Sequence, residues 1–248
     1  MTDKHPSLSA SNALRLVLLL GERGRMRVTD VAQELDVAPS TAYRLLAALG
    51  LYGFATQDGD RSYVQGPAYV RLRLSSSDPE ALRLIAGPHL TKLAATVGET
   101  THLMLLEGVS VRFIFSAEGP GALRVASRDG VVMPMHSTSA GKALLAEMSD
   151  SQVRELYASG IPRTVGSKIR SVDELIQALA VVRRQKFAEN KDESEPGISA
   201  VGIALHHHSG KPLAGLSISV PTVRYRPNRV ADLVMQLRQV AARIELQI

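Results

Sequence analysis

Apolar positions recur at helical spacing over two neighbouring stretches near the start of the chain. In VTDVAQELDV, Val31, Ala32 and Leu35 form a short apolar stripe, and Thr29 is placed to cap the helix that carries it. In PSTAYRLLAALG, Ala42, Leu45, Leu46 and Leu49 fall at i, i+3, i+4 and i+7, one buried helical face. Asp36-Val37-Ala38 makes the turn between them, and Pro39 suits the first turn of the second helix. Ser40, Thr41, Tyr43 and Arg44 then point away from the core. Hydroxyls and a guanidinium reach phosphates and base edges, so the pair reads as a helix-turn-helix whose second helix enters the DNA major groove. A helical hairpin in an ordinary core has the same pattern, and on these residues alone it stays open.

The flanks extend the pattern. Ala10 to Leu20 is strongly apolar, with Leu14, Val17 and Leu18 assigned to the buried face of a third helix. Beyond the pair, YGFATQ and DRSYVQ flank Asp58-Gly59, a hairpin signal. Three helices and a hairpin make a winged helix-turn-helix. The expected DNA-contacting set is Arg27, Thr29, Ser40, Thr41, Tyr43, Arg44 and Arg61, with Arg23 and Arg25 as further phosphate candidates. For any one of these arginines a solvated loop is the alternative.

Gly66-Pro67 ends the hairpin, and Pro67 starts a helix through AYVRLRL. The polar run Ser75 to Asp78 breaks it. The expected division is therefore a DNA-binding domain over residues 1–66, a linker helix over 67–77 and a second domain over 78–248. Asp78 caps the next helix with Pro79 at its first position, and Gly87-Pro88 is expected to kink it. From Thr100 the period changes from helix to strand. THLMLLEG, VSVRFIFSAEG, LRVASRDG and VVMPMHS read as four strands, followed by helices at STSAGKALLAEM, DSQVRELYAS and about Val172 to Gln185. Strands return at KFAEN, ISAVGIALH and PLAGLSISV, and a helix from about Asn228 to Leu246 closes the chain. Long helices mixed with hairpin-connected strands predict an α+β domain with an antiparallel sheet.

Composition adds bounds. The chain has 248 residues and no cysteine, which excludes disulfides and cysteine-rich zinc sites and fits a reducing cytoplasm. No apolar run reaches membrane-spanning length, and MTDKHPSLSA lacks a signal-peptide core, so a cytoplasmic protein without a membrane partner is expected. The net charge of +5 suits nucleic acid, but residues 1–77 carry only nine Lys and Arg against seven Asp and Glu. Charge supports DNA binding weakly, and the motif has to carry it.

Enzyme motifs are scarce. Ser139-Ala-Gly-Lys142 fits S-x-x-K, the nucleophile motif of penicillin-recognising enzymes, which would make the chain a serine hydrolase. Its companion elements S-D-N and K-T-G do not occur, nor do G-x-S-x-G, a Walker A motif, G-x-G-x-x-G or H-E-x-x-H. In His206-His207-His208 only His206 and His208 share a strand face, and the run beside a hairpin turn reads as ordinary exposed polarity; no metal or cofactor is expected. His102 reads as a hydrogen-bonded core residue, and His136 as a residue that fixes its turn. The segment MHSTSAGKALLA has a different chemistry. Ser137, Thr138, Ser139, Ala140 and Gly141 open a helix, whose free N–H groups and dipole attract an anion. Ser217 and Ser219, two apart in LSISV, place their hydroxyls on one strand face. A well-capped structural helix and a strand with one polar face are the equal alternative.

The motifs taken together resemble the IclR family of transcriptional regulators over both domains: VTDVAQELDVAPSTAYRLLAALGLYGFA with its wing, MHSTSAGKALLA, and ENKDESEPGISAVGIAL with GKPLAGLSISVP. The resemblance implies an α+β chain with a winged helix-turn-helix, a linker helix and a C-terminal GAF/PAS-like effector domain. It implies a homodimer or homotetramer on palindromic or pseudo-palindromic operator DNA, repressing or activating a catabolic operon. It implies a small organic or aromatic acid as effector, held by backbone N–H groups at Ser139 and Ala140 and by Ser217 and Ser219. Val125, Met133 and Ile198, with Ala200 nearby, would form the pocket wall. Asn190 stands where the family often has an aspartate, which alters the ligand groups the site accepts. Such a regulator is not an enzyme; a small-molecule-binding protein with a vestigial DNA domain is a third reading.

Overall fold

The structure is a computed structural model that describes residues 8–69, 78–164 and 166–248. Its contacts divide the chain into two compact units, residues 1–81 and 82–248.

In the first unit, α1 (Leu8–Arg23), α2 (Val28–Leu35) and α3 (Pro39–Leu51) surround one core with a small antiparallel sheet. The sheet order is β1 (Arg25–Met26), β3 (Tyr63–Gln65), β2 (Ala55–Gln57). The predicted stripe of α3 is buried at all four positions, Ala42, Leu45, Leu46 and Leu49. Asp36, in the left-handed region at φ 50°, reverses the chain after α2, and Pro39 opens α3.

Three details differ from expectation. Thr29 does not cap α2: the helix begins two residues earlier than that cap would give, at Val28 with Arg27 as N-cap, and the Asp30 carboxylate accepts from the Arg27 N–H at 2.7 Å. On α1 the buried face is Asn12, Leu16 and Leu20, whereas Leu14 and Leu18 are 69% and 65% exposed. LRLVLLL is apolar all round, so its period alone does not choose a face. The hairpin at Asp58-Gly59 has a five-residue loop, because Gln57 pairs with Tyr63 and the Asp58 N–H donates to the Ser62 carbonyl at 2.8 Å. Residues 67–69 are helical; the rest of the expected linker helix lies outside the described residues.

The second unit is built on a six-stranded sheet, β6-β5-β4-β9-β8-β7, antiparallel throughout. Its strands are β4 (Thr100–Glu107), β5 (Ser110–Ala117), β6 (Val132–Pro134), β7 (Ala188–Lys191), β8 (Ile198–His206) and β9 (Pro212–Pro221). The Asp78 carboxylate accepts from the Glu80 N–H at 3.0 Å as α4 (Pro79–Val97) begins. Thr101 of β4 donates to the Leu90 carbonyl at 3.0 Å, so α4 lies on that face of the sheet, and α8 (Pro227–Glu245) lies beside α4. The opposite face carries α5 (Ser139–Ala146), with α6 (Asp150–Leu156) and α7 (Val172–Gln185) packed in the same core.

Two glycines set how close α5 comes to the sheet. A Cβ on Gly202 of β8 would overlap the Ala140 backbone nitrogen, and one on Gly215 of β9 would lie 2.8 Å from Ala140 Cβ. LRVASRDG, expected as a strand, is irregular. Its backbone bonds go to side chains of β5 and the loop after it: Ser127 N–H donates to Glu118 at 2.9 Å and Arg128 N–H to Ser116 Oγ at 3.1 Å. Among the described residues no helix is long and apolar enough to cross a membrane.

Candidate functional site

On α3 the residues opposite the buried stripe, Ser40, Thr41, Tyr43 and Arg44, are all exposed, Tyr43 by 56%. Arg27, Thr29 and Arg61 are exposed as well. The arginines divide by what they touch. Arg23 binds Glu34 at 2.5 Å, and Arg25 binds Asp58 at 2.6 Å and Asp60 at 3.1 Å. Arg27 stands 3.9 Å from Asp60. The guanidinium groups of Arg44 and Arg61 have no hydrogen-bond or ion-pair partner among the described residues, although the Arg61 N–H donates to the Asp58 carbonyl at 3.1 Å. Arg61 holds φ at 63° on the wing loop. The Ser62 hydroxyl and N–H donate to Asp60, which together with the Arg25 charge holds its carboxyl below the usual range. The wing thus has its own charge compensation, while the guanidinium groups at Arg44 on α3 and Arg61 at the wing tip stay uncommitted.

In the second unit, Thr138 caps α5: its hydroxyl accepts from the Gly141 N–H at 3.1 Å. The N–H groups of Ser139 and Ala140 come before the first intrahelical donor, the Lys142 N–H, and so have no acceptor within the helix. Ser217 and Ser219 lie across from this end of α5, on the sheet face it covers. The pocket between them includes the predicted residues Met133, Ser139, Asn190, Ile198, Ala200, Ser217 and Ser219. The hydroxyls of Ser139, Ser217 and Ser219 have no hydrogen-bond partner among the described residues, although these serines are 2%, 1% and 6% exposed. Three buried serines whose hydroxyls open on one space without protein partners are suited to a polar ligand or water. The free volume is about 20 Å³, room for about one water molecule.

Two predicted residues fall outside this lining. Val125 is buried elsewhere, its carbonyl accepting from Thr100 Oγ1 at 2.5 Å. Ala140 is buried against Gly202 and Gly215. Asn190 lines the pocket but is already committed: its carbonyl accepts from the Glu193 N–H at 2.9 Å and its amide donates to Ser194 at 2.6 Å. Its task is to shape the loop after β7.

The sequence reading missed Met104, Phe113, Thr138, Ser194 and Arg128 in the lining. Arg128 is the one charged group there. Its guanidinium binds Glu195 at 2.5 Å, reaches Met133 Sδ at 3.2 Å and stands 5.9 Å over the Phe113 ring. Only the loss of the expected strand at 123–130 would have pointed to it.

Other candidates resolve differently. Lys142 Nζ sits 2.6 and 2.8 Å from the two oxygens of Glu193, the geometry of a tether between α5 and the loop after β7 rather than of a base beside Ser139. His102 is fully buried, with Nδ1 2.9 Å from Ser116 Oγ, and burial lowers its pKa to about 3. Both ring nitrogens of His136 lack partners, and burial also lowers its pKa. His206 lies 3.4 Å from Glu147 and from Glu245, and His208 binds the Ile248 carbonyl at 2.9 Å. Among the described residues no group of three His, Cys, Asp or Glu is placed to hold a metal ion.

A helix-turn-helix unit beside a separate ligand-binding unit defines a DNA-binding transcriptional regulator with an effector domain. Residues 9–59 match the IclR helix-turn-helix domain, and residues 76–246 match the C-terminal domain of bacterial IclR regulators. The chain belongs to the IclR family, a family of transcription regulators and not of enzymes. The regulator KdgR of Dickeya chrysanthemi is 31% identical over 99% of this chain and 82% of that protein. The crystal structure of an IclR regulator from Alicyclobacillus acidocaldarius is similar with TM-score 0.63 and 27% identity, covering 98% of this chain and 99% of that one. An IclR homologue from Microbacterium hydrocarbonoxydans, solved with 4-hydroxybenzoate, is similar with TM-score 0.61 and 24% identity over 96% and 98% of the two chains.

Proposed function

We propose that this regulator works in the cytoplasm as a two-fold homodimer or tetramer on a palindromic or pseudo-palindromic operator and controls a catabolic operon. Two copies of α3 would enter successive major grooves, with Ser40, Thr41, Tyr43 and Arg44 at base edges and nearby phosphates. Arg27, Thr29 and Arg61 would hold the backbone. The effector is a small organic or aromatic acid bound between the start of α5 and the serine face of β9. Unequal affinity of that acid for two arrangements of the oligomer would shift DNA affinity.

The observation that carries this reading is that three buried serines, one in the first turn of α5 and two on β9 across from it, turn hydroxyls without protein partners into one pocket. Hydroxyls and free N–H groups together match a carboxylate, and the N-terminus of the helix adds favourable dipole. The relative that holds 4-hydroxybenzoate makes a phenolic acid the first probe to try. The test is isothermal titration of a panel of aliphatic and aromatic acids into the protein and into a variant with Ser217→Ala and Ser219→Ala. Each lost charge-assisted bond predicts about tenfold weaker binding, with operator affinity in the absence of acid unchanged. Equal affinity of both proteins for a bound acid would refute the pocket. A second titration tests α3: Arg44→Ala should weaken operator binding by about 1–3 kcal/mol in a gel shift and leave acid binding intact.

A further inference from the structure

The pocket as it stands does not admit an organic acid. The space left for the centre of a water-sized sphere, about 20 Å³, is about what one water needs and is far below that of the roughly 150 Å³ cavities that take up small organic molecules. Binding therefore has to open one wall. The sheet wall is a hydrogen-bonded ladder from β4 to β9 to β8. The α5 wall rests on glycines whose missing side chains already bring it into contact, and Lys142 ties it to Glu193. The third side is different in kind. It carries the ion pair Arg128–Glu195, in which Arg128 lines the pocket and Glu195 does not, and which joins the loop before β6 to the loop after β7. Those two strands are the opposite edges of the sheet, so the pair links loops from its two sides. The Arg128 side chain is 13% exposed and the Glu195 side chain 51%. The arginine therefore belongs to the pocket, and the glutamate approaches from solvent.

Arg128 is also held from behind. Its N–H donates to Ser116 Oγ at 3.1 Å, and that hydroxyl is bonded to His102. Its guanidinium lies over the Phe113 ring and against Met133 Sδ, both pocket residues. The cation is thus fixed in place, while its carboxylate partner is carried on an exposed loop.

Building on the acid-binding reading above, we infer that Glu195 occupies the place of a ligand carboxylate: the acidic effector displaces Glu195 from Arg128 and takes over the guanidinium. A bidentate carboxylate on Arg128 conserves the charge-assisted bonds while the Glu195 carboxylate passes into water. The exchange frees the loop after β7 at one of its side-chain ties, leaving those of Glu193 to Lys142, of Asp192 to Thr222 and of Ser194 to Asn190. It makes Arg128 a specificity residue for acids over their neutral amides. It also makes Glu195 an internal competitor that sets the threshold concentration of effector.

The test uses the full chain and acetate, pyruvate and 4-hydroxybenzoate as probes, with acetamide and 4-hydroxybenzamide as neutral counterparts. Affinities are measured by titration calorimetry or ligand-observed NMR for the unsubstituted protein, Glu195→Gln, Arg128→Gln and the double Ser217→Ala, Ser219→Ala variant. The expected result is that Glu195→Gln, whose side chain is half exposed, tightens acid binding severalfold and leaves the amides unchanged. Arg128→Gln should weaken acid binding about tenfold or more and abolish the preference of acid over amide. Should Arg128→Gln fail to fold, judged by circular dichroism, Glu195→Gln alone decides. Unchanged or weaker acid binding by Glu195→Gln overturns the exchange, as does unchanged binding by Arg128→Gln. Absence of acid binding to both the unsubstituted protein and Glu195→Gln overturns it too. If the serine variant loses acid binding while Arg128→Gln and Glu195→Gln keep it, the exchange fails and the pocket reading survives. If neither set matters, both fail.

Discussion

At the scale of single residues, the informative groups are polar side chains that burial has left without partners or with unusual ones. Ser139, Ser217 and Ser219 were legible because they sit in a helix-opening run and at alternate strand positions, patterns with a physical meaning of their own. Arg128 was not legible. Nothing local distinguishes it from a solvated loop arginine, and its role comes from Glu195, 67 positions away. Val125, which the resemblance assigns to the pocket wall, lies outside the lining with its carbonyl in the Thr100 bond, whereas Ala140 rests its side chain on the sheet glycines and offers only its backbone N–H, the group the resemblance assigns to it. His102 supports a direct prediction. Burial lowers its folded pKa from 6.5 to about 3, so the unfolded chain binds the extra proton between these values. The stabilisation from the neutral ring is full above pH 6.5 and is lost as pH falls towards 3, at up to about 1.4 kcal/mol per pH unit. Denaturant melts of the protein and of His102→Asn over that window should show a shallower slope for the variant. Parallel slopes would mean that the ring titrates as in the unfolded chain.

At the scale of elements, apolar period and capping chemistry located α7 at Val172–Gln185 and β8 at Ile198–His206, as expected from the sequence. They failed where the signal is degenerate. α1 carries leucines on both its buried and its exposed sides, and the run 123–130 alternates like a strand but gives the N–H groups of Ser127 and Arg128 to the side chains of Glu118 and Ser116. The wing supports two opposite predictions. Arg61, its guanidinium unpartnered at the tip, should contribute one phosphate contact, so Arg61→Ala should reduce the slope of log affinity against log salt by about 1. Asp60 places a carboxylate beside the same surface, and its pairs with Arg25 and Arg27 are half exposed. Asp60→Asn should therefore change stability by no more than about 1 kcal/mol while strengthening operator binding. Weaker binding by that variant would mean that Asp60 chiefly positions Arg25 and the loop.

At the scale of the whole molecule, two cores divide the labour. One closes around α1 to α3 and the small sheet, the other around the six-stranded sheet. Every residue lining the pocket lies in the second unit, and every exposed α3 group lies in the first. Residues 78–248 expressed alone should fold and bind the same acids within about threefold of the full chain, a coupling under 1 kcal/mol, and should not bind operator. Loss of acid binding in that fragment, with its circular dichroism intact, would show that the pocket needs the first unit. Gross architecture was readable because each unit has its own periodic texture. The state of the pocket mouth was not, because it depends on two loops that no periodicity describes.

Gly202 and Gly215 carry a consequence for engineering. With no side chains beneath Ala140, they hold the start of α5 at a fixed height above the strands, and a methyl group at Gly202 should cost about 1–3 kcal/mol by lifting it. The polar recognition group is thus mounted on a rigid base, while Met133, Ile198 and Phe113 contribute bulk from around it. A biosensor retuned to a larger or smaller acid should be sought by trimming those three side chains and keeping the two glycines.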